Sequence, residues 1–454
     1  MDFKGKKVLV VGLGRSGIAA AEKLNTLGAH VTGSDCQVNP AFKGKLKRLA
    51  EKGIQMELGE QDGSMLKGSD LVIVSPGVPS DIPLIAEAKK KGIPIWSEVE
   101  LAYQLTEAPI IAITGTNGKT TTTALIGEIF KQAGLPVIVA GNIGFPLIRA
   151  IDQAEGDTVL VAEISSFQLE NIEGFSPRVA VLLNISEDHL DRHGSLENYQ
   201  RAKGRLFSNQ DAHDFAVINM DDEHSWALAT SVRSQLVPYS RKREVEMGVY
   251  EEGGEIWGNI KGEKVFVAST QDIRMRGAHN LENALAASAV ALIWQISPEV
   301  IREVLLTFPG LEHRLEYVGS VGDVQFYNDS KATNPDATLR ALQAFDKPVI
   351  LLAGGRNKGL DMTAISGARD RLKAAVLFGE SASEIDEALR TSGAENKLSV
   401  ERATTLEEAV EKAHRCARSG EVVLLSPACA SFDMFENFEE RGKIFKEAVR
   451  RLKR

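Results

Sequence analysis

The sequence contains few cysteines, and their positions exclude two common kinds of site. Its 454 residues include three, Cys36, Cys416 and Cys429. They lack the paired spacing of a zinc site, and three cysteines cannot all pair with one another. We therefore expect a reducing compartment, with these thiols as buried or bystander groups.

Long apolar runs and an excess of positive charge are also absent. No run approaches the roughly 20 apolar residues that span a bilayer, and "MDFKGKKVLVVG" at the start shows no signal-peptide pattern. The formal net charge of -9 disfavours a general binder of nucleic acids or membrane surfaces. These features predict a cytoplasmic protein that binds no nucleic acid and inserts into no membrane.

The residues that are present indicate an α/β protein of about three domains. Short apolar runs alternate with helical patterns in three blocks, which predicts parallel sheets with right-handed crossovers. We expect a Rossmann-like domain over residues 1–96, a central P-loop ATPase-type domain over 97–309 and a C-terminal Rossmann-like domain over 310–454. Glycine-broken segments from about Val237 to Arg276 predict extra β-hairpins in the central domain.

A glycine-rich turn follows the first predicted strand. Gly12, Gly14 and Gly17 fit the G-x-G-x-x-G pattern, and Asp35 ends the next strand, where an acid can bind a ribose hydroxyl. Alone, this pattern favours a dinucleotide enzyme. However, its backbone and helix N-terminus would accept any nucleotide diphosphate, and such turns also serve simply to pack a helix on a strand.

A second loop, "TGTNGKTTT", lies between an apolar strand and an amphipathic helix. It is a shortened Walker pattern, because its first glycine, Gly115, stands three residues before Gly118 rather than five. The backbone N–H groups can bind phosphates, Lys119 can reach the β and γ oxygens, and Thr120 can bind Mg²⁺. The predicted phosphate-binding residues are Gly115, Thr116, Asn117, Gly118, Lys119, Thr120 and Thr121.

Two further candidates stand at the ends of neighbouring strands. Glu163 ends the apolar strand "VLVAE", and His189 follows the next strand with Asp188 and Asp191 beside it. Sites in α/β sheets form at the carboxyl ends of strands, so this position favours metal binding. A histidine after a strand is also commonly a structural hydrogen-bonding group.

Several motifs together resemble the Mur ligases, the amide ligases of bacterial cell-wall synthesis, over nearly the whole chain. They are "TGTNGKTTT", "GNIG", "EISSFQLE", "NISEDHLDRHGS", "NYQRAKGRLF", "HNLENALAA", "EHRLE", "NDSKATNPDAT" and "SPACASFDMFENFEERG". The resemblance implies that ATP phosphorylates a carboxylate of a UDP-sugar substrate, UDP-N-acetylmuramoyl-L-alanine. An amine then attacks the acyl phosphate to form an amide. "NDSKATN" and "SPACASFD" are similar to the motifs of members that add D-glutamate.

The resemblance also implies roles for individual residues. Lys119 would bind the ATP phosphates, while Thr120 and Glu163 bind one Mg²⁺ and His189 serves a second. Lys203 would carry a CO₂-derived carbamate, which changes a cation into an oxygen ligand for Mg²⁺. The catalytic set is thus Lys119, Glu163, His189 and Lys203.

The other implied positions fall into three groups. Those for the UDP-substrate are Gly14, Arg15, Ser16, Asp35, Ser75, Gly77, Asn142 and His189. Those that complete the ATP site are Asn280, Asn283, Arg314, Asp329 and Lys331. Those for D-glutamate are Thr333, Lys358, Ser431, Phe432 and Phe438. Cys36 and Gln37 depart from the family pattern at the residues expected to bind uracil.

Three alternatives remain open at this point. A sister ligase would add another amino acid, an NAD-dependent dehydrogenase would use the Gly12–Gly17 turn, and a nucleotide sensor would bind without turnover. For a ligase we expect a monomer whose third domain swings onto the second about a Pro309–Glu312 hinge.

Overall fold

The computed structural model of the chain describes residues 2–37, 43–142, 145–260, 262–275, 277–390 and 398–452. Ile143 and Gly144 of the "GNIG" motif, and Arg276 at the end of the predicted hairpin region, lie outside these residues. The chain forms two compact units, one of residues 1–185, 197–268 and 284–304, the other of residues 186–196, 269–283 and 305–454. Among the described residues, no helix has the length and hydropathy required to cross a membrane.

The first sheet has five parallel strands in the order β3-β2-β1-β4-β5. The strands are β1 Lys7–Val11, β2 His30–Asp35, β3 Gln55–Leu58, β4 Leu71–Val74 and β5 Ile95–Ser97. The helices around it are α1 Arg15–Thr26, α2 Lys43–Glu51, α3 Pro83–Lys90 and α4 Glu98–Gln104. The strand order reverses between β1 and β4, and such a switch point leaves a crevice at the carboxyl ends of the strands.

The second sheet has nine strands in the order β14-β13-β12-β11-β10-β9-β6-β8-β7. They are β6 Ile110–Thr114, β7 Val137–Gly141, β8 Val159–Glu163, β9 Val179–Leu182, β10 Phe215–Asn219, β11 Gln235–Ser240, β12 Gly248–Glu252, β13 Glu255–Asn259 and β14 Val265–Ser269. The pairs from β7 through β12 are parallel, whereas β12 and β13 are antiparallel. Gly253 and Gly254 join the last two with positive φ angles, so the predicted hairpin is confirmed.

Eight α-helices lie in the chain between β6 and the third sheet, among the described residues. They are α5 Lys119–Gln132, α6 Leu147–Ala150, α7 Ser166–Leu169, α8 Leu190–His193, α9 Leu196–Gly204, α10 Glu223–Trp226, α11 Ala278–Ile293 and α12 Pro298–Thr307. The Trp294 ring packs edge-on against Phe130 of α5, with 5.5 Å between centroids.

The third sheet has six strands in the order β15-β16-β20-β17-β18-β19. They are β15 Glu316–Val321, β16 Val324–Asn328, β17 Val349–Gly354, β18 Leu372–Phe378, β19 Ser399–Arg402 and β20 Val422–Leu425. The helices are α13 Pro335–Gln343, α14 Ala382–Arg390, α15 Leu406–Cys416 and α16 Phe438–Leu452. Only β15 is antiparallel to its neighbour here. Alternate residues of β17 enter two different apolar clusters, so both faces of this sheet are covered.

Candidate functional site

The glycine turn after β1 is tightly packed at the switch point of the first sheet. Asp35 accepts hydrogen bonds from the backbone N–H of Leu13 at 2.6 Å and of Gln37 at 3.0 Å, so its carboxylate stabilises the turn. Ser75, after β4, donates its hydroxyl to the Gly12 carbonyl at 2.6 Å. Gly14 is the N-cap of α1 and offers no side-chain cap, which leaves the helix N-terminus available to an anion.

A cavity of about 480 Å³ opens at this turn. All of the predicted UDP-substrate residues except His189 line it, namely Gly14, Arg15, Ser16, Asp35, Ser75, Gly77 and Asn142. Cys36, Gln37, Gln61, Pro146 and Gln168 line it as well. The last three were not predicted. Gln61 follows a short polar strand that has no apolar pattern, and Pro146 and Gln168 reach the cavity from segments that follow strands of the second sheet.

Replacing Gly17 with alanine should distort the turn. A Cβ there would lie 1.9 Å from the Gly12 carbonyl oxygen and 2.6 Å from the Ser75 hydroxyl. We expect a loss of stability of about 1–3 kcal/mol or more, the usual cost of overpacking a buried site. Gly14→Ala is the matched control, because a Cβ there meets nothing within 4 Å. Thermal unfolding of both variants checks this, and equal melting temperatures would contradict it.

The second loop connects β6 to α5 through glycines that few other residues could replace. Gly115 and Gly118 have φ angles of 155° and 87°. Asn184, just after β9, binds both backbone groups of Asn117, through its Oδ1 at 2.8 Å and its Nδ2 at 3.1 Å. Its own carbonyl accepts the Thr116 N–H at 2.9 Å. Asn184 therefore fixes the loop, a role that the sequence did not reveal.

Two lysine side chains converge on this loop. Lys119 donates to the carbonyls of Gly115 at 2.8 Å and Thr116 at 2.9 Å. Lys203, which is 1% exposed, donates to the same Gly115 carbonyl at 2.9 Å, and its ammonium lies 4.5 Å from the Tyr199 ring centroid. Two cations beside one carbonyl concentrate positive charge at the loop, which favours a bound anion.

Glu163 lies next to this loop on the neighbouring strand β8 and is 2% exposed. Its Oε1 accepts from Asn142 Nδ2 at 3.0 Å, while its Oε2 is buried and has no hydrogen-bond partner among the described residues. A buried carboxylate oxygen without a donor is costly unless a cation faces it. The residues at this position therefore fit a divalent metal ion.

A second glutamate near the cavity is buried completely. Glu98 begins α4, and burial raises its pKa to about 7, although the hydrogen bond from Ile148 N–H opposes that rise. Its folded pKa thus exceeds its unfolded value of 4.5. The folded chain binds this proton more tightly, so its contribution to stability is complete below pH 4.5 and is lost as the pH rises through 7.

The pH dependence of stability should therefore change in Glu98→Gln. Between pH 5 and 8 the wild-type protein should lose up to about 3 kcal/mol relative to this variant. Thermal unfolding of both proteins across this range measures the difference. Other groups titrate equally in both, so parallel profiles would contradict the assignment.

In the second unit, Asp329 is a buried acid at the end of β16. Its carboxylate accepts from Ser426 Oγ at 2.8 Å and from Leu315 N–H at 3.2 Å, and burial raises its pKa to about 7. Leu315 and His313 have φ angles of 42° and 65°, which side-chain-bearing residues rarely adopt. Asp329 therefore stabilises a strained "EHRLE" segment.

Asp188 brings three predicted regions of this unit together. Its Oδ1 accepts from His189 N–H at 2.9 Å and lies 3.6 Å from Lys358 Nζ. Its Oδ2 accepts from Asn334 Nδ2 at 3.3 Å. His189 has a left-handed φ of 53°. The Asp188 carboxylate thus connects "SEDHLD", "NDSKATN" and the Lys358 loop.

The remaining predicted residues of this unit differ in exposure. Ser431 is buried, whereas Phe432 is 66% exposed. Lys331 Nζ lies 3.7 Å from the centroid of the Phe438 ring, so Phe438 packs against another predicted residue. Asn283 is buried, and six further predicted residues are half-buried, namely Asn280, Arg314, Lys331, Thr333, Lys358 and Phe438. The roles of all these residues stay predictions.

Arg441 of α16 is a residue of this unit that the sequence did not single out. It is 0% exposed, and its guanidinium donates to the carbonyls of Ser330 at 2.8 Å, Cys429 at 3.1 Å and Gly354 at 3.4 Å. These carbonyls stand at or after the carboxyl ends of three strands. Arg441 therefore fixes three loops at one edge of the third sheet.

The fold contains three β-sheets flanked by helices, a phosphate-type loop and a cavity at a switch point. This combination is typical of nucleotide-binding α/β enzymes. Three family models match the chain along its length. They describe a Mur ligase MurD-like N-terminal domain over residues 6–97, a Mur ligase middle domain over 113–291, and a Mur ligase glutamate ligase domain over 313–429.

Curated relatives match over the full length. A protein from Thermoanaerobacter sp. is 47% identical, with all of both chains covered. One from Pelotomaculum thermopropionicum is 48% identical over all of this chain and 99% of its own. Both are named UDP-N-acetylmuramoylalanine--D-glutamate ligase. The chain belongs to the Mur ligase family.

Solved structures agree with this fold. UDP-N-acetylmuramate-alanine ligase from Thermotoga maritima has a TM-score of 0.59 at 21% identity, covering 98% of this chain and 99% of its own. A pseudomurein peptide ligase type C from Methanothermus fervidus has a TM-score of 0.61 at 20% identity, covering 99% and 100%. At such identities the likeness concerns the fold alone.

Proposed function

We propose that this chain is an ATP-dependent ligase that joins D-glutamate to UDP-N-acetylmuramoyl-L-alanine in cytoplasmic peptidoglycan precursor synthesis. The observation that carries the proposal is the hydrogen bond between Asn142 and Glu163. Asn142 lines the cavity, and Glu163 is the acid beside the phosphate loop. A substrate in the cavity can therefore extend its free carboxylate toward the γ-phosphate of ATP on that loop.

The reaction proceeds in two chemical steps. A carboxylate oxygen of the UDP-substrate attacks the γ-phosphorus of ATP, which releases ADP and leaves an acyl phosphate. The D-glutamate amine then attacks the acyl carbon, and the tetrahedral intermediate expels phosphate and loses a proton from its nitrogen to leave an amide. The first step brings two anions together, so the protein must supply positive charge at the loop.

Lys119 supplies part of that charge, since its ammonium group lies at the Gly115 carbonyl. Glu163 and Thr120 would hold one Mg²⁺, which neutralises phosphate charge and aligns the attack when it is bound. His189 would serve a second ion. The glycine turn, with Arg15 and Ser16 at the start of α1, would bind the diphosphate of the UDP-substrate.

The carbamate on Lys203 is a finer part of the proposal. Its burial beside the loop suits such a group, but the ammonium contact with Gly115 would have to be replaced by contacts of a carbamate oxygen with metal. NMR with ¹³C-labelled bicarbonate should show a carbamate carbon in the wild-type protein and none in Lys203→Ala. A signal of equal size in both would remove the carbamate from the account.

We propose three domains, which comprise residues 1–96, 97–309 and 310–454. The third would bind D-glutamate and complete the ATP site. Lys358 supplies a cation for a substrate carboxylate, and Ser431 and Thr333 supply hydroxyl groups. The Pro309–Glu312 segment would act as the hinge of a monomer that closes around both substrates. Small-angle scattering should show compaction with an ATP analogue and the UDP-substrate, and an unchanged radius of gyration would exclude this closure.

The deciding experiment is incubation with ATP, Mg²⁺, UDP-N-acetylmuramoyl-L-alanine and a single amino acid, followed by mass spectrometry. We expect the amide with D-glutamate and none with L-glutamate, L-alanine or meso-diaminopimelate. Product with another amino acid alone would assign the chain to a sister ligase. Phosphate release without any amide would overturn the ligase assignment.

A further inference from the structure

Glu98 lies beneath the wall of the cavity, and the proposed reaction does not use it. It is the first residue of α4, directly after β5, and it is 0% exposed. Burying a carboxyl group is costly unless its oxygens meet donors. Glu98 Oε2 has no hydrogen-bond partner among the described residues, so the contact of Oε1 indicates what this side chain stabilises.

This contact is with the start of α6. Glu98 Oε1 accepts the Ile148 N–H at 2.6 Å, in the first turn of that helix. The N-cap of α6 is Pro146, which provides no side-chain acceptor for the free N–H groups. Glu98 supplies this cap from another part of the chain. Because Pro146 lines the cavity, Glu98 fixes part of its wall.

Gln168 of α7 also lines the cavity. The Gln168 side-chain oxygen accepts from Ser165 N–H at 2.9 Å and lies 3.0 Å from Ser165 Oγ. The Gln168 side chain thus caps the start of α7 at the cavity, and α7 packs against α4, the helix that Glu98 begins.

Helices α6 and α7 follow β7 and β8, the strands whose ends lead to Asn142 and Glu163. We propose that Glu98 is a positioning residue for the ligase reaction, an inference that rests on the proposed function. It holds α6 so that the UDP-substrate in the cavity presents its carboxylate beside Glu163. Glu98 touches neither reacting atom and acts through Ile148.

Glu100 provides a matched control on the same helix. It is also 0% exposed, and its carboxylate accepts backbone N–H groups of Glu173, Gly174 and Phe175 at 2.8–3.0 Å. None of these residues lines the cavity. Glu98 and Glu100 are therefore both buried carboxylates that accept backbone N–H groups. Of these two, Glu98 alone contacts a segment that lines the cavity.

The test compares Glu98→Asp, Glu98→Gln and Glu100→Asp by steady-state kinetics. Aspartate at position 98 is one methylene too short to cap α6, so the KM for UDP-N-acetylmuramoyl-L-alanine should rise by about 10-fold or more. The KM for ATP should change by less than about twofold. Glu98→Gln keeps the length and an acceptor oxygen, so it should restore most of the lost affinity. Glu100→Asp should lower the melting temperature without raising the KM for the UDP-substrate.

Calorimetric binding of the UDP-substrate to the same proteins repeats the comparison without turnover. If Glu98→Asp binds and reacts like wild type, or if Glu100→Asp raises this KM equally, Glu98 has only a structural role and the inference is wrong. Failure of the wild-type protein to form any amide would instead refute the proposed function. The two failures are thus distinguishable.

Discussion

Lys119→Ala should lower kcat/KM for amide formation by about 10³-fold, the scale at which a phosphate-binding cation contributes to phosphoryl transfer. Lys119 begins α5, and its ammonium lies over the loop at the carbonyls of Gly115 and Thr116. The negative charge of the phosphoryl group must be stabilised as this group is transferred from ADP. The alanine side chain carries no positive charge that could stabilise it. Initial rates of phosphate release across a range of ATP concentrations, with the other substrates saturating, measure the loss.

Lys131→Ala is the matched control for this variant. It removes a lysine from the same helix, where the side chain is 74% exposed and pairs with Glu128 at 3.8 Å. An exposed pair of this kind contributes little to stability, so rate and melting temperature should both stay near wild type. If Lys119→Ala retained more than about a tenth of the wild-type kcat/KM, the loop would not be the site of phosphoryl transfer.

Glu163→Gln should also cost about 10³-fold in kcat, because it replaces a metal-binding oxygen with an amide. Glutamine keeps the volume of the side chain and can still accept the Asn142 hydrogen bond. However, its NH₂ group would stand where Glu163 Oε2 now lies without a partner among the described residues. The variant should therefore fold normally and require a higher Mg²⁺ concentration for its residual activity.

Rates across a Mg²⁺ titration separate this role from a structural one. Glu155→Gln is the control, since Glu155 is an exposed glutamate before the opposite end of the same strand. Its Mg²⁺ dependence should match wild type. A Glu163→Gln protein with a low rate but an unchanged Mg²⁺ requirement would show that Glu163 does not bind the metal.

The buried parallel strands could be predicted from the sequence because they are continuous apolar runs. "VLVAE" became β8, with every residue buried, and "PVILLAGG" contains β17. The short edge strands could not be predicted in this way. Each of β3, "QMEL", and β19, "SVER", is half-buried at its two middle residues and exposed at its ends, so neither has an apolar pattern. Pairing with a neighbouring strand determines their conformation.

The same distinction applies to the site. Lys119 could be proposed from its place in a glycine-rich loop between a strand and a helix, and Glu163 from its place at the end of a predicted strand, where α/β sites form. Asn184 stands in such a position too, but its hydrogen bonds to Asn117 join residues 67 apart and depend on β9 lying beside β6. Glu98 gave no sequence signal, since its partner Ile148 is 50 residues away. Contacts between elements distant in sequence require the fold.

The transfer of oxygen from substrate to phosphate tests the central claim, that the carboxylate is activated as an acyl phosphate. UDP-N-acetylmuramoyl-L-alanine labelled with ¹⁸O in its free carboxylate is incubated with ATP, Mg²⁺ and D-glutamate, and the released phosphate is examined by mass spectrometry. The account predicts one ¹⁸O atom in each phosphate, because the C–O bond breaks as the amine displaces it. Amide formation with unlabelled phosphate would contradict it.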